Sequence, residues 1–289
     1  MALVRSRRQR SMKLLVTGAA GLIGGHVSRE MLARGHTVRG FDALEADIPG
    51  VEWMHGDLRD LELMEAAVDG MDAVCHLAAI PNSRPREQWP DVVDVNWRGT
   101  YIVMEAMARR GVRRVVFASS ACVLGGVCNV KYRPKPAYLP FDEDSVVETD
   151  EPYSLSKMVN EQTARMFQLH GLFDTAIAMR FWNVRDAVTR GVGILHVPSV
   201  LFAAVHPHDV TQAIRLALES DLVGFHAFAV AGKNRYNADG TLETVEQTRE
   251  YMRKDGLAGI ELRDGFPETF RSSASHRRLT EALGYEPQY

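Results

Sequence analysis

The sequence of 289 residues has only three cysteines, no long apolar run and no large excess of charge, and each shortage excludes a class of protein. The cysteines, Cys75, Cys122 and Cys128, show no CxxC spacing, so neither a disulfide framework nor a zinc site is indicated. Cys75 and Cys122 fall in apolar stretches and are interpreted as packing residues in a reducing cytoplasm. The apolar run 73–80 is far shorter than the ~20 residues that cross a bilayer, so no membrane is expected as a partner.

Charge is nearly balanced, because 34 Lys+Arg stand against 37 Asp+Glu for a net charge of -3. No broad basic surface is implied, so nucleic acid is not an expected partner. Hydrophobic residues make up 46% of the chain and can fill the core of one domain, which is predicted to span 13–289. Residues 1–12 carry arginines without the apolar core of a secretory signal and are predicted to be a disordered basic tail.

Strand-like and helix-like segments alternate along most of the chain. Strands are predicted at 13–17, 37–41, 52–55, 73–77, 114–118 and 175–179, and the helices between them at 22–34, 61–68, 91–110 and 153–170. This βαβ rhythm predicts an α/β fold, a doubly wound parallel sheet with helices on both faces. Beyond residue 180 the rhythm loosens into a small C-terminal lobe, with helices predicted among shorter strands at 208–218, 242–253 and 274–283.

A glycine-rich turn follows the first predicted strand, in the run Thr17-Gly18-Ala19-Ala20-Gly21-Leu22-Ile23-Gly24. Gly18 can make the tight turn, Gly21 lets the backbone approach a phosphate, and Gly24 lets the helix pack close to the strand. The helix start adds unpaired N–H groups and a positive dipole end. The turn therefore predicts a Rossmann-type dinucleotide site, with 13–180 mainly NAD-binding and 181–289 mainly a substrate lobe.

Asp42 ends the second predicted strand, where an acid can bind both hydroxyls of an adenosine ribose and would repel a 2′-phosphate. The expected cofactor is therefore NAD, in preference to NADP. Asp57 follows the third strand and has two interpretations, a contact to the adenine amino group or an ordinary turn aspartate.

Tyr153 and Lys157 lie four residues apart at the start of a predicted helix, so both side chains leave the same face. A positive charge near a phenol favours the phenolate, which can take a proton from an alcohol. The spacing alone also fits an ordinary exposed helix surface.

Taken together, these motifs resemble the extended short-chain dehydrogenase/reductase superfamily, the NAD-dependent epimerase/dehydratase family, over nearly the whole chain from Lys13. The other motifs that carry the resemblance are Gly56-Asp57-Leu58, His76-Leu77-Ala78-Ala79, Asn96-Trp97-Arg98-Gly99-Thr100, Ala118-Ser119-Ser120-Ala121 and Arg180-Phe181-Trp182-Asn183.

The resemblance implies an enzyme in which Tyr153, Lys157 and Ser120 are catalytic. Ser120 would bind the substrate oxygen, Lys157 would also hold the nicotinamide ribose, and Asn96 would either shape the helix or order water. The implied cofactor contacts are Gly18, Ala20, Gly21, Leu22, Ile23, Gly24, Asp42, Asp57, Leu58, Leu77, Ala78, Ala79, Asn96, Tyr153 and Lys157. The implied substrate contacts are Ser120, Ala121, Asn183 and Arg190.

Departures from the family pattern narrow the expected reaction. Ala121 and Cys122 follow Ser120, where sugar-nucleotide dehydratases of the family place an Asp-Glu pair, so dehydration is not expected. The pattern is most similar to uronate dehydrogenase-like members, which implies oxidation of a hydroxyl of a sugar or sugar acid. Arg190 is the expected carboxylate contact, and Arg185 is the competing residue.

Two other functions stay open, a nucleotide-sugar epimerase that keeps NAD tightly bound and a non-catalytic, NAD-sensing regulator. His206, His208 and Asp209 contain metal-ligand types, but no metal site is predicted, and Asp209 is expected to cap a late helix. The resemblance also implies a homodimer formed partly by the helices 91–110 and 153–170.

Overall fold

The computed structural model describes residues 11–81, 85–124, 131, 135–145, 148–185, 203–233, 241–269 and 271–289. The strands of this part are β1 (Lys13–Thr17), β2 (Thr37–Asp42), β3 (Val51–His55), β4 (Ala73–His76), β5 (Arg114–Ser120), β6 (Tyr138–Leu139), β7 (Thr175–Phe181), β8 (Asn183–Val184), β9 (Ala204–Val205), β10 (Gly224–Val230) and β11 (Glu261–Leu262). The helices are α1 (Leu22–Ala33), α2 (Leu61–Val68), α3 (Trp89–Val92), α4 (Gly99–Arg110), α5 (Pro152–Leu169), α6 (Pro207–Glu219), α7 (Val245–Lys254) and α8 (Arg277–Leu283), with a π-helix at Val93–Arg98.

Seven strands form one parallel sheet in the order β10-β7-β5-β4-β1-β2-β3. The chain runs outward from β1 to β3, then returns to the other side of β1 and runs outward again from β4 to β10. This reversal leaves a crevice at the carboxyl ends of β1 and β4, where doubly wound sheets bind ligands. The predicted Rossmann-type α/β fold is confirmed.

Two hydrophobic cores cover the two faces of the sheet. In β1 the side chains of Leu14 and Val16 point into the core beneath α1 and α6, and Leu15 points into the core beneath α2, α4 and α5. Successive strand residues face opposite ways, so an apolar strand feeds both cores at once. The carboxyl ends of the strands are thereby held in fixed positions.

The helix predicted at 91–110 is interrupted in the structure. It consists of α3, the π-helix and α4, and it ends at Gly111, whose φ is 72°. The C-terminal half also differs from the prediction of shorter strands, because the seven-residue β10 pairs with β7 along the main sheet. As an edge strand it is only partly buried, which weakens its sequence pattern.

Two local expectations are changed by the structure. Asp209 does not cap α6; His206 does, and Asp209 accepts hydrogen bonds from the N–H groups of Gln288 (2.8 Å) and Tyr289 (3.1 Å). Cys75 and Cys122 were both expected to be packing residues. Cys75 is buried and free, but Cys122 is disulfide-bonded. The spacing of the cysteines in the sequence did not indicate this disulfide. A reducing compartment, as expected from the sequence, does not favour disulfides.

The described residues bear only in part on the expectations for a membrane, a metal site, the N-terminal tail and the cellular location. The described part of the chain has no helix long and apolar enough to span a membrane and no group of three metal-ligating side chains. Ser11 and Met12, which were assigned to the basic tail, are held by hydrogen bonds. The Ser11 hydroxyl donates to the Gly35 carbonyl (2.7 Å), and the Met12 N–H donates to His36 Nδ1 (3.1 Å). Residues 1–10 lie outside the described residues, and the cytoplasmic location stays a prediction.

Candidate active site

The glycine turn between β1 and α1 leaves no space for side chains at two of its positions. A Cβ on Gly18, whose φ is +70°, would lie 2.7 Å from the amide nitrogen of Ala78. A Cβ on Gly24 would lie 2.1 Å from the Gly18 carbonyl oxygen. The turn is therefore packed against both α1 and the loop after β4, and its backbone is open to a pyrophosphate at the start of α1.

Asp42 lies beside this turn at the end of β2. Its carboxylate accepts hydrogen bonds from the N–H groups of Ala20 (2.9 Å) and Leu44 (3.0 Å). These two bonds hold an acid next to the phosphate-binding turn, as a ribose contact requires. The turn and Asp42 together fit a dinucleotide with a free ribose 2′-hydroxyl.

Asp57 and Leu58, two of the predicted cofactor contacts, do not belong to the glycine turn. Asp57 is exposed, accepts a hydrogen bond from the N–H of Arg59 (2.9 Å) and pairs with its guanidinium, which lowers the pKa of Asp57. This geometry favours the interpretation of Asp57 as a turn aspartate. Leu58 is buried, and its Cδ1 occupies the position that a Cβ on Gly99 would take, so it packs the connection between β3 and α2 against the start of α4.

A cavity of about 430 Å³ opens at the carboxyl ends of the strands and brings together most of the predicted site. Predicted residues that line it are Gly18, Gly21, Leu22, Ile23, Gly24, Leu77, Ala79, Ser120, Ala121, Tyr153, Lys157 and Asn183. Predicted residues that do not line it are Ala20, Asp42, Asp57, Leu58, Ala78 and Asn96. Arg190 lies outside the described residues.

Ser120, Tyr153 and Lys157 converge on this cavity from two elements. Ser120 ends β5, where its Oγ accepts a hydrogen bond from the N–H of Cys122 (3.2 Å), and it lines the cavity together with Tyr153 near the start of α5. Lys157, one turn further, donates from Nζ to the Ala118 carbonyl (2.9 Å), and Nζ lies 5.6 Å from the centre of the Tyr153 ring. An ammonium has three donors, so two remain for the cavity.

Burial dominates the protonation of these groups. It lowers the pKa of Lys157 to about 8, because the charged ammonium loses its hydration. It also raises the pKa of Tyr153, the nearby charge of Glu151 raises it further, and the hydrogen bond from Ser120 lowers it. Lys157 was expected to favour the phenolate, but the effects of the protein's own groups together raise the pKa of Tyr153.

Asn96 lies under the cavity and is 1% exposed. Its side chain makes two hydrogen bonds to the backbone of Ile80, from N–H to Oδ1 (2.7 Å) and from Nδ2 to the carbonyl (2.9 Å). Its own carbonyl accepts from Asn160 Nδ2 (2.9 Å) and Thr100 Oγ1 (2.7 Å). Of the two roles expected for Asn96, these contacts support the shaping of the local helix geometry and not the ordering of water.

Sequence reasoning missed the ion pair behind Ser120. Glu161 accepts two bonds from Arg180, at 2.9 and 2.8 Å, and one from the Ser119 hydroxyl at 2.5 Å. Glu161 follows Lys157 by four residues, as Lys157 follows Tyr153, and this spacing could have revealed Glu161, although not its partner Arg180. This pair fastens the ends of β5 and β7 to α5.

Three cavity residues at and after the end of β7, Phe181, Trp182 and Val184, were not predicted as contacts, and Arg185, the residue weighed against Arg190, also lines the cavity. Phe181 pairs in register with Ser120, so the chain that follows it extends beyond the catalytic edge of the sheet. Arg185 is exposed there, held by its N–H to the Val205 carbonyl (3.0 Å). The described lining of the cavity contains two charged side chains, Lys157 and Arg185, and both are cationic.

Comparison with known proteins relates this site to NAD-dependent sugar enzymes. A model of the NAD dependent epimerase/dehydratase family matches residues 14–184. The chain is 32% identical to UDP-glucose 4-epimerase of Streptomyces lividans, over 96% of this chain and 92% of that protein. It is also 32% identical to L-arabinose 1-dehydrogenase (NAD(P)(+)) of Haloferax volcanii, over 73% of this chain and 84% of that protein. The solved structure of MoeE5 with UDP-glucuronic acid and NAD superposes with a TM-score of 0.70 at 27% identity, over 96% of this chain and 94% of that chain.

Proposed function

This chain belongs to the NAD-dependent epimerase/dehydratase family, and from that premise we propose that it oxidises a hydroxyl of a sugar or sugar acid with NAD. The observation that carries the proposal is the meeting of Ser120, Tyr153 and Lys157 in one cavity with the glycine turn. Bound NAD supplies the acceptor for the hydride that leaves the substrate carbon.

Three side chains of the site divide the remaining work. The phenolate of Tyr153 takes the proton from the substrate hydroxyl and becomes the phenol, and the hydroxyl of Ser120, which lines the same cavity, orients the substrate oxygen. Lys157 is fixed by the Ala118 carbonyl and lines the cavity, so its remaining N–H donors would hold the ribose of the nicotinamide. Its positive charge opposes the burial effect on Tyr153 once the proton leaves.

The cavity favours oxidation over elimination of water. Dehydration needs an acid and a base beside the reacting carbons. Ala121 and Cys122 follow Ser120, and no aspartate or glutamate is present in the described lining of the cavity. A plain hydride transfer uses only groups that are present.

Arg185 supports an acidic sugar as substrate. It lies on the far side of Ser120 from the glycine turn, where the sugar rather than the cofactor would extend. A guanidinium can bind a carboxylate through two parallel hydrogen bonds. MoeE5, a relative, binds the acidic sugar nucleotide UDP-glucuronic acid. We therefore assign the carboxylate contact to Arg185; Arg190, the predicted contact, lies outside the described residues.

The second candidate is a UDP-sugar 4-epimerase that retains its NAD. The match to the Streptomyces lividans epimerase over 96% of this chain favours it. The test follows the absorbance of reduced nicotinamide with added NAD across uronates, aldoses and UDP-sugars. Net reduction of NAD by a free sugar or sugar acid supports the dehydrogenase, and interconversion of UDP-sugars without net reduction refutes it.

A matched pair of variants tests the assignment of Tyr153. Tyr153→Phe removes only the hydroxyl and is expected to lower kcat by about 10²–10⁴-fold. Tyr101→Phe makes the same change on the exposed face of α4, 44% exposed, and is expected to leave kcat unchanged. Equal rates for Tyr153→Phe and the parent enzyme would refute the role of the phenol.

We also propose that the protein forms a homodimer through α4 and α5. These helices expose large apolar side chains, Tyr101 at 44%, Leu155 at 43%, Met166 at 50% and Leu169 at 72%, next to a groove of about 1220 Å³. A two-fold axis through this face would bury the same residues of both copies.

Light scattering of two variants tests the dimer. Trp97→Glu places a charge in the groove and is expected to give monomers. Val223→Glu introduces the same charge at a site that is 71% exposed and outside the groove, and is expected to leave the dimer intact. A monomeric parent protein would refute the proposal.

A further inference from the structure

Glu151 caps the helix that carries Tyr153, and its carboxylate is buried against that helix. The carboxylate accepts hydrogen bonds from the N–H groups of Tyr153 (2.8 Å) and Ser154 (2.6 Å), and from the Ser154 hydroxyl. The residue is 4% exposed. Serine, threonine, aspartate and asparagine are the usual capping residues, so a glutamate at this position is uncommon.

The cap has two effects that oppose each other. A negative charge at a helix N-terminus is stabilised by the helix dipole and by the N–H groups it accepts from. The same charge lies two residues from Tyr153, in a buried setting where solvent screens it weakly. A phenolate on Tyr153 would be a second negative charge at the same helix start. Glu151 therefore favours the neutral phenol while it fixes the backbone beneath it.

Other charged groups near this helix start are already paired or lie on the outer surface. In the adjoining groove, Asp94 on the π-helix pairs with Arg59 and with Arg98 (3.1 Å), and Asp150 accepts from the N–H of Lys131 (2.6 Å). The groove is also lined by Arg86 and Glu87, which come from a 3₁₀ turn. On the cavity side the charged neighbour of Tyr153 is Lys157. Within the described residues Glu151 has no ion pair, and the groups that its carboxylate contacts there are N–H and O–H donors.

We propose that Glu151 is a positioning residue for Tyr153, which holds the start of α5 in place and places a buried negative charge beside the phenol. The inference rests on the proposed role of Tyr153 as the proton acceptor. It gives the site a built-in requirement: positive charge from the cofactor and Lys157 must outweigh both burial and Glu151 before the phenol loses its proton.

The test measures the ionisation of Tyr153 directly, by the ultraviolet absorbance of tyrosinate on NAD-bound protein. Subtracting the titration of each matching Tyr153→Phe variant isolates this one residue among the eight tyrosines. Glu151→Gln keeps an acceptor of similar shape, and Glu151→Ser keeps a neutral cap. Both are expected to lower the pH midpoint of Tyr153 by about one unit, a tenfold change in its ionisation constant.

Asp60→Ser is the matched control, since Asp60 caps α2 by accepting from the N–H of Leu63 (3.1 Å). It is expected to lower the thermal unfolding temperature without moving the midpoint of Tyr153. An unchanged midpoint in either Glu151 variant, or an equal shift in Asp60→Ser, would overturn the proposal. The titration needs no substrate, so it decides the role of Glu151 even if no sugar is oxidised. With a substrate, the acidic limb of the kcat profile is expected to move to lower pH in both Glu151 variants.

Discussion

The ion pair between Glu161 and Arg180 is buried, so removal of one of its two partners should cost considerable stability. Its side chains are 7% and 13% exposed, and the two hydrogen bonds between them have lengths of 2.9 and 2.8 Å. Glu161→Gln removes the charge and keeps the shape. The guanidinium of Arg180 is then left buried without its counter-charge.

Removing one partner of a buried ion pair costs about 3–5 kcal/mol of folding free energy, because the other charge stays desolvated. Arg180 keeps one partner in this variant, since it also donates to the carbonyl of Glu143 (3.0 Å). Glutamine can still accept from the Ser119 hydroxyl, which bonds Glu161 at 2.5 Å. We therefore expect the lower end of the range, about 3 kcal/mol.

Urea unfolding followed by circular dichroism measures this loss, provided that the transition is two-state. Glu105→Gln serves as control, because it removes a carboxylate from a surface pair with Arg109, whose side chain is 50% exposed. That variant is expected to unfold like the parent protein. The double variant Glu161→Leu/Arg180→Met removes both charges and is expected to recover most of the loss. A loss below about 1 kcal/mol in Glu161→Gln would refute the reasoning, because it would mean that water reaches the pair.

Three further predictions concern the cofactor site and the sheet beneath it. Gly24→Ala puts a Cβ 2.1 Å from the Gly18 carbonyl oxygen, so the turn must open, and calorimetry is expected to detect no NAD binding by a folded protein. Asp42→Ala removes the charged acceptor for the ribose hydroxyls and is expected to weaken NAD binding about tenfold or more while NADP binding does not weaken; equal losses for both cofactors would refute the assignment. Burial lowers the pKa of His76 to about 3, whereas an unfolded histidine titrates near 6.5. Below pH ~6.5 His76 is protonated in the unfolded chain and neutral in the folded chain. The free energy of unfolding should therefore fall towards pH ~3, by at most about 1.4 kcal/mol per pH unit. The His76→Gln variant should lack this contribution to the slope.

Local patterns predicted much of the fold and site because they depend on neighbours in the chain. The glycine turn needs its strand, its helix and three glycines, all within 13–34. Tyr153 and Lys157 need only the helical period. The alternation of strands and helices then fixes which ends of the strands meet, and so brings Ser120 to the same cavity.

Features that depend on distant contacts were not predictable in this way. The partner of Glu161 is Arg180, on another element, and nothing local in the sequence links them. Asp57 was left with two interpretations because the choice depends on where the side chain of Arg59 lies. The spacing of the cysteines did not reveal the disulfide of Cys122, and the sequence could not choose between Arg185 and Arg190, because the position of Arg185 on the cavity depends on the register of β5 and β7.

The π-helix at Val93–Arg98 has a consequence for how the long helical segment tolerates changes in length. A π-turn holds one residue more than an α-turn, and each residue of an α-helix advances the angle by about 100°. The segment directs Asn96 inward to Ile80 and Trp97 outward to the groove. Losing one residue here would therefore rotate α4 relative to α3. A regular α-helix in this place could not keep both the cofactor side, with Asn96, and the outer face, with Trp97, in their present orientations.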